Sequence, residues 1–436
     1  MTEKEVTVIG GGLAGVEAAN QLSKRGIKVK LYEMKPVKFS PAHKSEKLAE
    51  LVCSNSLKAE RVGSAAGLLK AEMRRFGSVC LEAADKSKVP AGGALAVDRD
   101  LFSQYITEAV ENDANITLIR EEITKIPENG IVIIAAGPLA SESLSEEITK
   151  LCGRKSLSFY DAAAPIVTFE SISMDEAFTQ SRYERGGEDD YINCPMNKEQ
   201  YEAFYDAIIN AESAELHSFD KKKDVYEGCM PIEVLASRGK DTMRYGPLKP
   251  VGLVNPKTGH RPWANLQLRK ENAEGTMYNL VGFQTNLKFS EQKRVFSMFP
   301  ALKNAEFVRY GVMHRNTFIN SPGVLNSDFS MKNNPRIFFA GQISGVEGYM
   351  ESASSGILAG YNAAKKIFGE ESIQLPKITM MGALSQYISD ETVTNFQPMG
   401  AAFGIIEPLA EKIRDKKERY EALAQRSLSY FDTLLL

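Results

Sequence analysis

The 436-residue sequence is poor in the residues that build metal centres and disulfide frameworks. It contains four histidines and five cysteines, all of them scattered, and it has no CxxC pair. An odd number of separated cysteines excludes a simple zinc ribbon or a thioredoxin motif, and it is typical of free thiols in a reducing compartment. We therefore expect a cytoplasmic protein without a metal site.

Long apolar runs and an excess of one charge are also missing. No run reaches the roughly 18–20 apolar residues that a membrane span requires, and the polar N-terminus lacks a secretory hydrophobic segment. The 53 basic and 56 acidic side chains give a net charge of −3, which does not by itself indicate nucleic-acid binding. With 43% hydrophobic and 25% charged residues, the composition excludes a disordered, collagenous or coiled-coil chain. The length predicts two to three domains.

The most informative motif lies in the first 33 residues. A β-branched run at residues 6–9 leads into Gly10-x-Gly12-x-x-Gly15, then a helical pattern, then a second strand that ends at Glu33. In this strand–turn–helix–strand context the glycines form a dinucleotide-binding fingerprint, which allows a tight turn and close approach of a pyrophosphate. We expect Glu33 to accept hydrogen bonds from the adenosine ribose. The residues predicted to line the cofactor phosphates are Gly10, Gly11, Gly12, Leu13, Ala14 and Gly15.

Two later apolar strands indicate, through a resemblance, which dinucleotide is bound. Residues 131–136 lead into Gly137, and residues 336–340 lead into Gly341 and Gln342. Both strands resemble accessory signatures of FAD enzymes of the glutathione-reductase-like superfamily, in which the late strand approaches the flavin. The resemblance implies FAD, with Gly341 and Gln342 among its contacts. A second GxGxxG and a redox CxxxxC are both missing, which argues against a disulfide reductase.

The sequence predicts an α/β fold, with a Rossmann-like FAD-binding domain interrupted by an inserted mixed α+β domain. Polar alternation and Pro- and Gly-rich turns replace the strand–helix repeats in the middle of the chain. We predict the first part of the FAD domain at 1–165, the inserted substrate domain at 166–309, and the second part at 310–436 with a helical tail. Within the first part, Asp98 is predicted to cap a helix whose buried face consists of Leu101, Phe102, Tyr105, Ile106 and Ala109.

The cysteines divide into two kinds. Cys53 and Cys229 are flanked by Ser and Asn or by Gly and Pro. Cys80 and Cys152, in contrast, lie in periodic patterns of apolar residues. The residues alone leave two interpretations open for the first pair, namely catalytic thiols or small buried side chains. His43 is a further candidate for orienting a ligand, and residues 314–317 (His-Arg-Asn-Thr) are a candidate contact for the flavin or for a second ligand.

Several segments together resemble one family, the folate- and FAD-dependent tRNA (uracil-5-)-methyltransferases. They are VIGGGLAGVEAA at residues 8–19, LVCSNSLK at 51–58, EGCMPIE at 227–233, RYGPLKPVGL at 244–253 and FAGQISGVEGYMESASSG at 339–356. The resemblance extends over essentially the whole chain. It implies methylation of carbon 5 of uridine 54 in the T-loop of tRNA, with 5,10-methylenetetrahydrofolate as carbon donor. FADH2 is then the reductant, itself regenerated by NAD(P)H.

The resemblance also implies that Cys53 and Cys229 are the two catalytic thiols. Carbon 5 of uracil is a poor nucleophile, and addition of a thiolate to carbon 6 makes it reactive. A base then removes the carbon-5 proton, and hydride from the reduced flavin completes the methyl group. We expect Cys229 to be the nucleophile and Cys53 the base, although the sequence also allows the reverse assignment.

RNA contacts are expected in the inserted domain, where cations alternate with Tyr245, His260 and Trp263. Acidic residues lie among these cations, so a merely solvated face is the alternative interpretation. The sequence indicates no membrane contact and no obligate protein partner. The cations are Lys221, Lys222, Lys223, Arg238, Lys240, Arg244, Lys249, Lys257, Arg261, Arg269 and Lys270.

Two other functions remain as alternatives. One is the related FAD enzyme that modifies the tRNA wobble uridine, which carries an added helical C-terminal domain for which we expect no room before Leu436. The other is a non-catalytic FAD-containing RNA-binding protein, which the intact cysteine segments disfavour.

Overall fold

The computed structural model describes residues 4–153, 156–162, 164–184, 190–214, 230–311, 313–393 and 396–434. Cys229 and the lysines at 221–223 lie outside the described residues, and so do the side chains at 314–317.

The strands are interspersed with helices in the first third of the chain, whereas in the last third four strands precede three helices. In chain order they are β1 (Glu5–Ile9), β2 (Lys28–Tyr32), β3 (Ser56–Ala59), β4 (Lys88–Val89), β5 (Ala94–Val97), β6 (Ile116–Ile119), β7 (Ile131–Ile134), β8 (Ser156–Ala162), β9 (Ile166–Thr168), β10 (Phe178–Thr179), β11 (Tyr191–Met196), β12 (Ala264–Lys270), β13 (Met277–Leu280), β14 (Phe307–Arg309), β15 (Met313–Ile319), β16 (Ser330–Met331) and β17 (Asn334–Phe339).

The α-helices range from a single turn to five turns. In chain order they are α1 (Leu13–Ser23), α2 (Ala65–Arg75), α3 (Val79–Lys86), α4 (Arg99–Glu111), α5 (Glu142–Leu151), α6 (Lys198–Ile209), α7 (Ile232–Ser237), α8 (Thr242–Tyr245), α9 (Phe289–Phe296), α10 (Tyr349–Phe368), α11 (Met380–Ser389) and α12 (Lys416–Thr433). No helix of the described ranges combines the length and apolar character that a bilayer crossing requires.

One of two six-stranded sheets is mainly parallel and has the strand order β16-β17-β7-β1-β2-β6. All neighbouring pairs from β17 to β6 are parallel, and the edge strand β16 is antiparallel. Val8, Ile133 and Phe338 lie side by side in the register and are fully or almost fully buried. Apolar, β-branched strands suit this position because helices cover both faces of a parallel sheet. The predicted Rossmann-like α/β fold is confirmed, with the strands at 131–134 and 334–339 next to β1.

Helix α10 packs unusually close to α1, the helix that follows the glycine turn. A Cβ atom on Gly356 would lie 2.1 Å from the carbonyl oxygen of Ala14, and one on Gly360 would lie 2.5 Å from that of Ala18. Because neither position has room for a side chain, these glycines set the distance between the two helices.

A second, antiparallel sheet has the order β10-β11-β12-β13-β9-β14. Its own hydrophobic core is centred on Phe204, Phe283 and Phe299, whose rings lie 5.0–6.2 Å apart. The middle of the chain therefore buries its apolar residues separately from the parallel sheet.

Strands β8 and β15 pair over their whole lengths and connect the two sheets along the chain. Ser156 is opposite Ile319, and Ala162 is opposite Met313, in an antiparallel ladder. The chain thus leaves the parallel sheet along β8 and returns beside it along β15. A small three-stranded sheet, β3-β5-β4, lies between the glycine turn and α4 in sequence.

Helix α4 begins where the sequence predicts but faces differently. The Asp98 carboxylate accepts hydrogen bonds from the backbone N–H groups of Asp100 and Leu101, as an N-cap does. The buried stripe is Phe102, Ile106 and Val110, whereas Leu101 is 39% exposed. The predicted burial of Leu101 and Ala109 was wrong because both lie outside the i, i+4, i+8 stripe of α4 that is buried.

Candidate active site

A cleft of about 410 Å³ opens at the carboxyl ends of β1, β2 and β7. Residues from the glycine turn, the 36–56 loop, the residues after β17 and the start of α10 line it, and so does Gln284 from the middle of the chain. The carboxyl ends of parallel strands are where doubly wound sheets bind their ligands. The cleft therefore coincides with the position expected for a dinucleotide.

The glycine turn is shaped by contacts that exclude side chains. Gly10 has φ = +107°, and a Cβ there would lie 2.5 Å from the carbonyl oxygen of Ala135. A Cβ on Gly15 would lie 1.8 Å from the carbonyl oxygen of Gly10. At Gly12, in contrast, a Cβ would meet nothing within 4 Å. Two of the glycines are therefore required by the fold, and Gly12 leaves space on the cleft side.

Gly12 is also the residue that precedes the first turn of α1, and it has no side chain to cap the helix. The first N–H groups of an α-helix lack partners within the helix, and the helix dipole favours a negative group beside them. The arrangement fits a phosphate group, which the open space at Gly12 would admit.

Glu33 follows β2 and is buried at the side of the turn. One carboxylate oxygen accepts the N–H of Gly11 at 2.9 Å, and the other accepts the N–H of Lys35 at 3.0 Å. Each carboxylate oxygen can accept a second hydrogen bond. Glu33 thus holds the turn against the end of β2 while it lines the cleft.

Gly341 and Gln342 close the other side of the turn. The N–H of Gly341 donates to Ser355 Oγ at 2.7 Å, and a Cβ on Gly341 would lie 3.2 Å from Cβ of Ala14. The side-chain amide of Gln342 donates to both oxygens of Glu347, at 2.9 and 3.0 Å. The residues after β17 therefore contact the start of α1 across the cleft.

Cys53 lies half-buried on the wall of the same cleft. Its backbone N–H donates to the hydroxyl oxygen of Tyr349 at 2.8 Å, and the N–H of Ser54 donates to that oxygen at 3.1 Å. Tyr349 is the first residue of α10. Burial, with a further contribution from the nearby charge on Cys53, raises the pKa of the Tyr349 hydroxyl above its usual range. The hydroxyl is therefore protonated at neutral pH and retains its own hydrogen for donation.

Three arginines bind the residues around Cys53, two through backbone carbonyl oxygens and one through side chains. Arg99 donates to the carbonyl oxygens of Leu51 and Cys53 at 2.8 and 3.3 Å, and Arg309 donates to that of Val52. Arg99 also forms an ion pair with buried Glu271. Burial, then the neighbouring charge of Arg99, lowers the pKa of Arg309 from its ordinary value.

The third arginine, Arg269, projects from β12 of the antiparallel sheet. Its Nε donates to Asn55 Oδ1 and its Nη2 to Ser54 Oγ, both at 2.9 Å. Arg269 is only 5% exposed. The expectation that it contacts RNA was wrong, because its guanidinium is used inside the protein.

Lys58 and Glu351 form an ion pair on the cleft wall, with 2.7 Å between Nζ and Oε1. Glu351 is 1% exposed and also accepts the N–H of Ala401 at 2.9 Å. Lys58 has φ = +64°, a left-handed conformation that is rare for side-chain-bearing residues. The pair thus places one positive and one negative group on the cleft wall.

Sequence reasoning did not find Tyr349, Arg99, Arg309, Lys58 or Glu351, and it gave Arg269 a different role. The available signal was the segment Gly348-Tyr349-Met350-Glu351, which lies shortly after the late strand and within a motif that carries the family resemblance. Of the weaker candidates, His43 lines the cleft, with Nδ1 2.5 Å from Ser40 Oγ. The backbone at 314–317 forms part of β15.

Comparison with known proteins relates this cleft to a family. A model of the family described as glucose inhibited division protein A matches residues 5–371. The Acetivibrio thermocellus methylenetetrahydrofolate–tRNA-(uracil-5-)-methyltransferase TrmFO is 59% identical over 423 residues, covering 97% of each chain. The Staphylococcus aureus enzyme of the same name is 56% identical over 428 residues, covering 98% of each chain. The chain belongs to this methyltransferase family. The family resemblance predicted from the sequence is confirmed.

A solved structure with a similar fold is GidA of Aquifex aeolicus. It superposes on 98% of this chain and 73% of its own with a TM-score of 0.70, at 16% sequence identity. At that identity the similarity concerns the fold alone. It supports the Rossmann-type architecture. It does not indicate the substrate, which is inferred from the near-full-length relatives.

Proposed function

We propose that the protein methylates carbon 5 of uridine 54 in the T-loop of tRNA, with 5,10-methylenetetrahydrofolate as carbon donor and FADH2 as reductant. The relatives that are 56–59% identical carry the name of a folate-dependent tRNA (uracil-5-)-methyltransferase. The observation that carries the proposal is that a dinucleotide cradle and the Cys53 thiol line one cleft. A reductant and a sulfur nucleophile or base would then act on the same pyrimidine.

The residues of the cleft fit FAD. The N-terminus of α1 and the open backbone at Gly12 suit its pyrophosphate, and Glu33 suits its adenosine ribose. Gly341 and Gln342 lie where the flavin end is expected. Bound and reduced, FAD supplies the hydride that completes the methyl group, and NAD(P)H is the proposed source of its electrons.

The two cysteines supply the nucleophile and the base for the remaining steps. Cys229 adds as thiolate to carbon 6 of uracil, which makes carbon 5 nucleophilic toward the folate-derived carbon. Carbon 5 bonds to that carbon, Cys53 removes the carbon-5 proton, and departure of the amine nitrogen that carried the carbon leaves an exocyclic methylene on carbon 5. Addition of hydride to that methylene gives the methyl group, and the resulting enolate expels the Cys229 thiolate from carbon 6. The hydrogen bonds that the Cys53 backbone makes with Tyr349 and Arg99 keep it in place during these steps.

Labelled methylenetetrahydrofolate, NADPH and tRNA from cells lacking the modification test the function. We expect label in uridine 54 with wild-type protein, and loss of methylation by at least about a thousandfold in Cys53→Ala and Cys229→Ala because covalent or proton-transfer chemistry is removed. Both variants should keep the FAD absorption spectrum.

Cys152→Ala is the matched control, since Cys152 is buried at the end of α5. Methylation from S-adenosylmethionine without folate would contradict the proposed donor. Full turnover in Cys53→Ala would remove that thiol from the mechanism.

A further inference from the structure

One stretch of the middle of the chain contains no acidic residues. Between Thr242 and Lys270 there is no Asp or Glu, although the protein as a whole carries a net charge of −3. The part of this stretch that precedes β12 contains Arg244, Lys249, Lys257 and Arg261. Positive charge is therefore concentrated locally in an otherwise slightly acidic protein.

The same stretch exposes aromatic side chains. Tyr245 is 85% exposed and Trp263 is 38% exposed. Tyr183 lies outside the stretch but packs on Gly252 within it, where a Cβ would lie 2.9 Å from the Tyr183 ring, and Tyr183 is 53% exposed. Exposed rings beside cations are the combination with which proteins stack on nucleic-acid bases and hold the backbone.

Internal contacts order this surface without neutralising it. The Arg244 guanidinium lies 3.9 Å from the Trp263 ring centroid and its Nε donates to the Trp263 carbonyl oxygen at 2.9 Å. Arg244 is paired with Asp241. No ion pair of Lys249, Lys257 or Arg261 occurs among the described residues. Lys257 instead contacts the backbone carbonyl of Asp175. Three cations are therefore available for an external anion.

Strand β12 fixes the distance from this surface to the cleft. Trp263 immediately precedes the strand, and Arg269 near its other end binds Ser54 and Asn55 beside Cys53. Six residues of extended chain span about 20 Å. A nucleotide bound at Cys53 would not reach Trp263, whereas the body of a folded RNA would.

We propose that the cationic aromatic surface formed by Tyr183, Tyr245, Lys249, Lys257, Arg261 and Trp263 binds the part of the RNA substrate outside the target nucleotide. The cations contact phosphates, and Tyr245 stacks on an exposed base. The inference rests on the proposed function, because it takes RNA as the substrate that enters the cleft.

Binding of unmodified tRNA, measured over a series of KCl concentrations, tests the proposal. In Lys249→Ala/Lys257→Ala/Arg261→Ala, we expect the slope of log K against log[KCl] to become shallower by about 2–3, roughly one for each phosphate that the variant no longer binds. In Tyr245→Ala we expect about tenfold weaker binding with an unchanged slope, because stacking does not depend on counterion release.

The matched control is Lys366→Ala/Lys412→Ala/Lys417→Ala, which removes three exposed lysines from the side of the parallel sheet. It should bind tRNA like wild type, and all variants should keep the FAD spectrum and the thermal unfolding midpoint. Equal affinity and slope in the two triple variants would overturn the proposal. So would unchanged tRNA binding combined with loss of a dimer in sedimentation, since the surface would then bind a second copy.

The experiments distinguish a failure of the proposed function from a failure of the surface assignment. If wild type neither binds nor methylates tRNA, the proposed function falls. If wild type methylates tRNA and the surface variants bind it normally, only the assignment of this surface falls.

Discussion

At the residue scale, Tyr349 links the Cys53 loop to the helix that begins at the cleft. Its hydroxyl oxygen accepts two backbone N–H groups, from Cys53 and Ser54. A hydroxyl has two lone pairs and one hydrogen, so both acceptor positions are used and the hydrogen remains. The position of the thiol therefore depends on a tyrosine 296 residues away in sequence.

Replacement of Tyr349 by Phe should separate this role from that of the aromatic ring. The variant keeps the ring but leaves two N–H groups without their acceptor, a change that costs about 1–3 kcal/mol for a buried group. We expect kcat for methylation to fall by about tenfold or more because Cys53 is misplaced, while FAD binding is retained. The rate of Cys53 alkylation by iodoacetamide, followed by mass spectrometry, should change as well.

Tyr387→Phe provides the comparison. Tyr387 donates its hydroxyl to the Gln397 carbonyl oxygen at 2.9 Å, and it does not line the cleft. Wild-type alkylation kinetics and turnover in Tyr349→Phe would show that its hydroxyl does not position Cys53.

At the scale of elements, the contact between α1 and α10 sets the geometry of the glycine turn. α1 begins immediately after Gly12, and α10 begins at Tyr349, so each helix carries part of the cleft at its N-terminus. Gly356 and Gly360 allow the two backbones to approach more closely than any side chain would permit. The separation of the two helices therefore controls the relation between the FAD cradle and the Cys53 loop.

Gly356→Ala should disturb that relation. Its Cβ would lie 2.1 Å from the Ala14 carbonyl oxygen, so the helices must move apart. We expect a decrease of about 1–3 kcal/mol in the free energy of unfolding, as for other overpacked sites, together with weaker FAD binding. Urea denaturation and flavin fluorescence titration measure the two effects.

Gly404→Ala is the appropriate control, because a Cβ on Gly404 meets nothing within 4 Å and its φ is not positive. If Gly356→Ala behaved like Gly404→Ala in both assays, the close helix packing would not be needed for cofactor binding.

At the scale of the whole molecule, a buried carboxylate joins three helices. Glu72 of α2 accepts the N–H groups of Met380 and Met381 at the start of α11, both at 2.7 Å. It also accepts the hydroxyl of Ser427 in α12 at 2.6 Å. Burial raises the pKa of Glu72 from 4.5 to about 7 despite these hydrogen bonds. The C-terminal helices are thus coupled to the first part of the chain through one titrating group.

This pKa predicts the direction of a pH effect on stability. Because the folded pKa lies above the unfolded one, the folded state binds more protons between about pH 4.5 and 7, and stability decreases as pH rises through that window. The shift corresponds to about 3 kcal/mol at most. Glu72→Gln should remove this contribution, so that the wild type gains stability relative to the variant as pH falls from about 7 toward 4.5. Parallel pH profiles in urea denaturation would contradict the assignment.

Hydrogen bonds connect the antiparallel sheet to the Cys53 loop. Arg269 comes from the antiparallel sheet, while Ser54 and Asn55, which it binds, precede the small β3-β5-β4 sheet. The mutual position of the two cores therefore affects the thiol directly. The division of the chain at 165/166 and 309/310 stays a prediction, as do the roles of Cys53 and Cys229.

The sequence by itself determined the local parts of this protein. The βαβ unit, the glycine turn, the acid at residue 33, the strands beside β1 and the Asp98 cap all follow from spacings of a few residues, since turns, caps and periodicity are short-range effects. Only the tertiary structure decided the surroundings of Cys53. The Tyr349, Arg269 and Lys58–Glu351 contacts join residues 214–296 positions apart, and no local pattern encodes which distant groups a fold brings together. The rotation of α4 was likewise decided by packing, because burial depends on the neighbours that a helix meets.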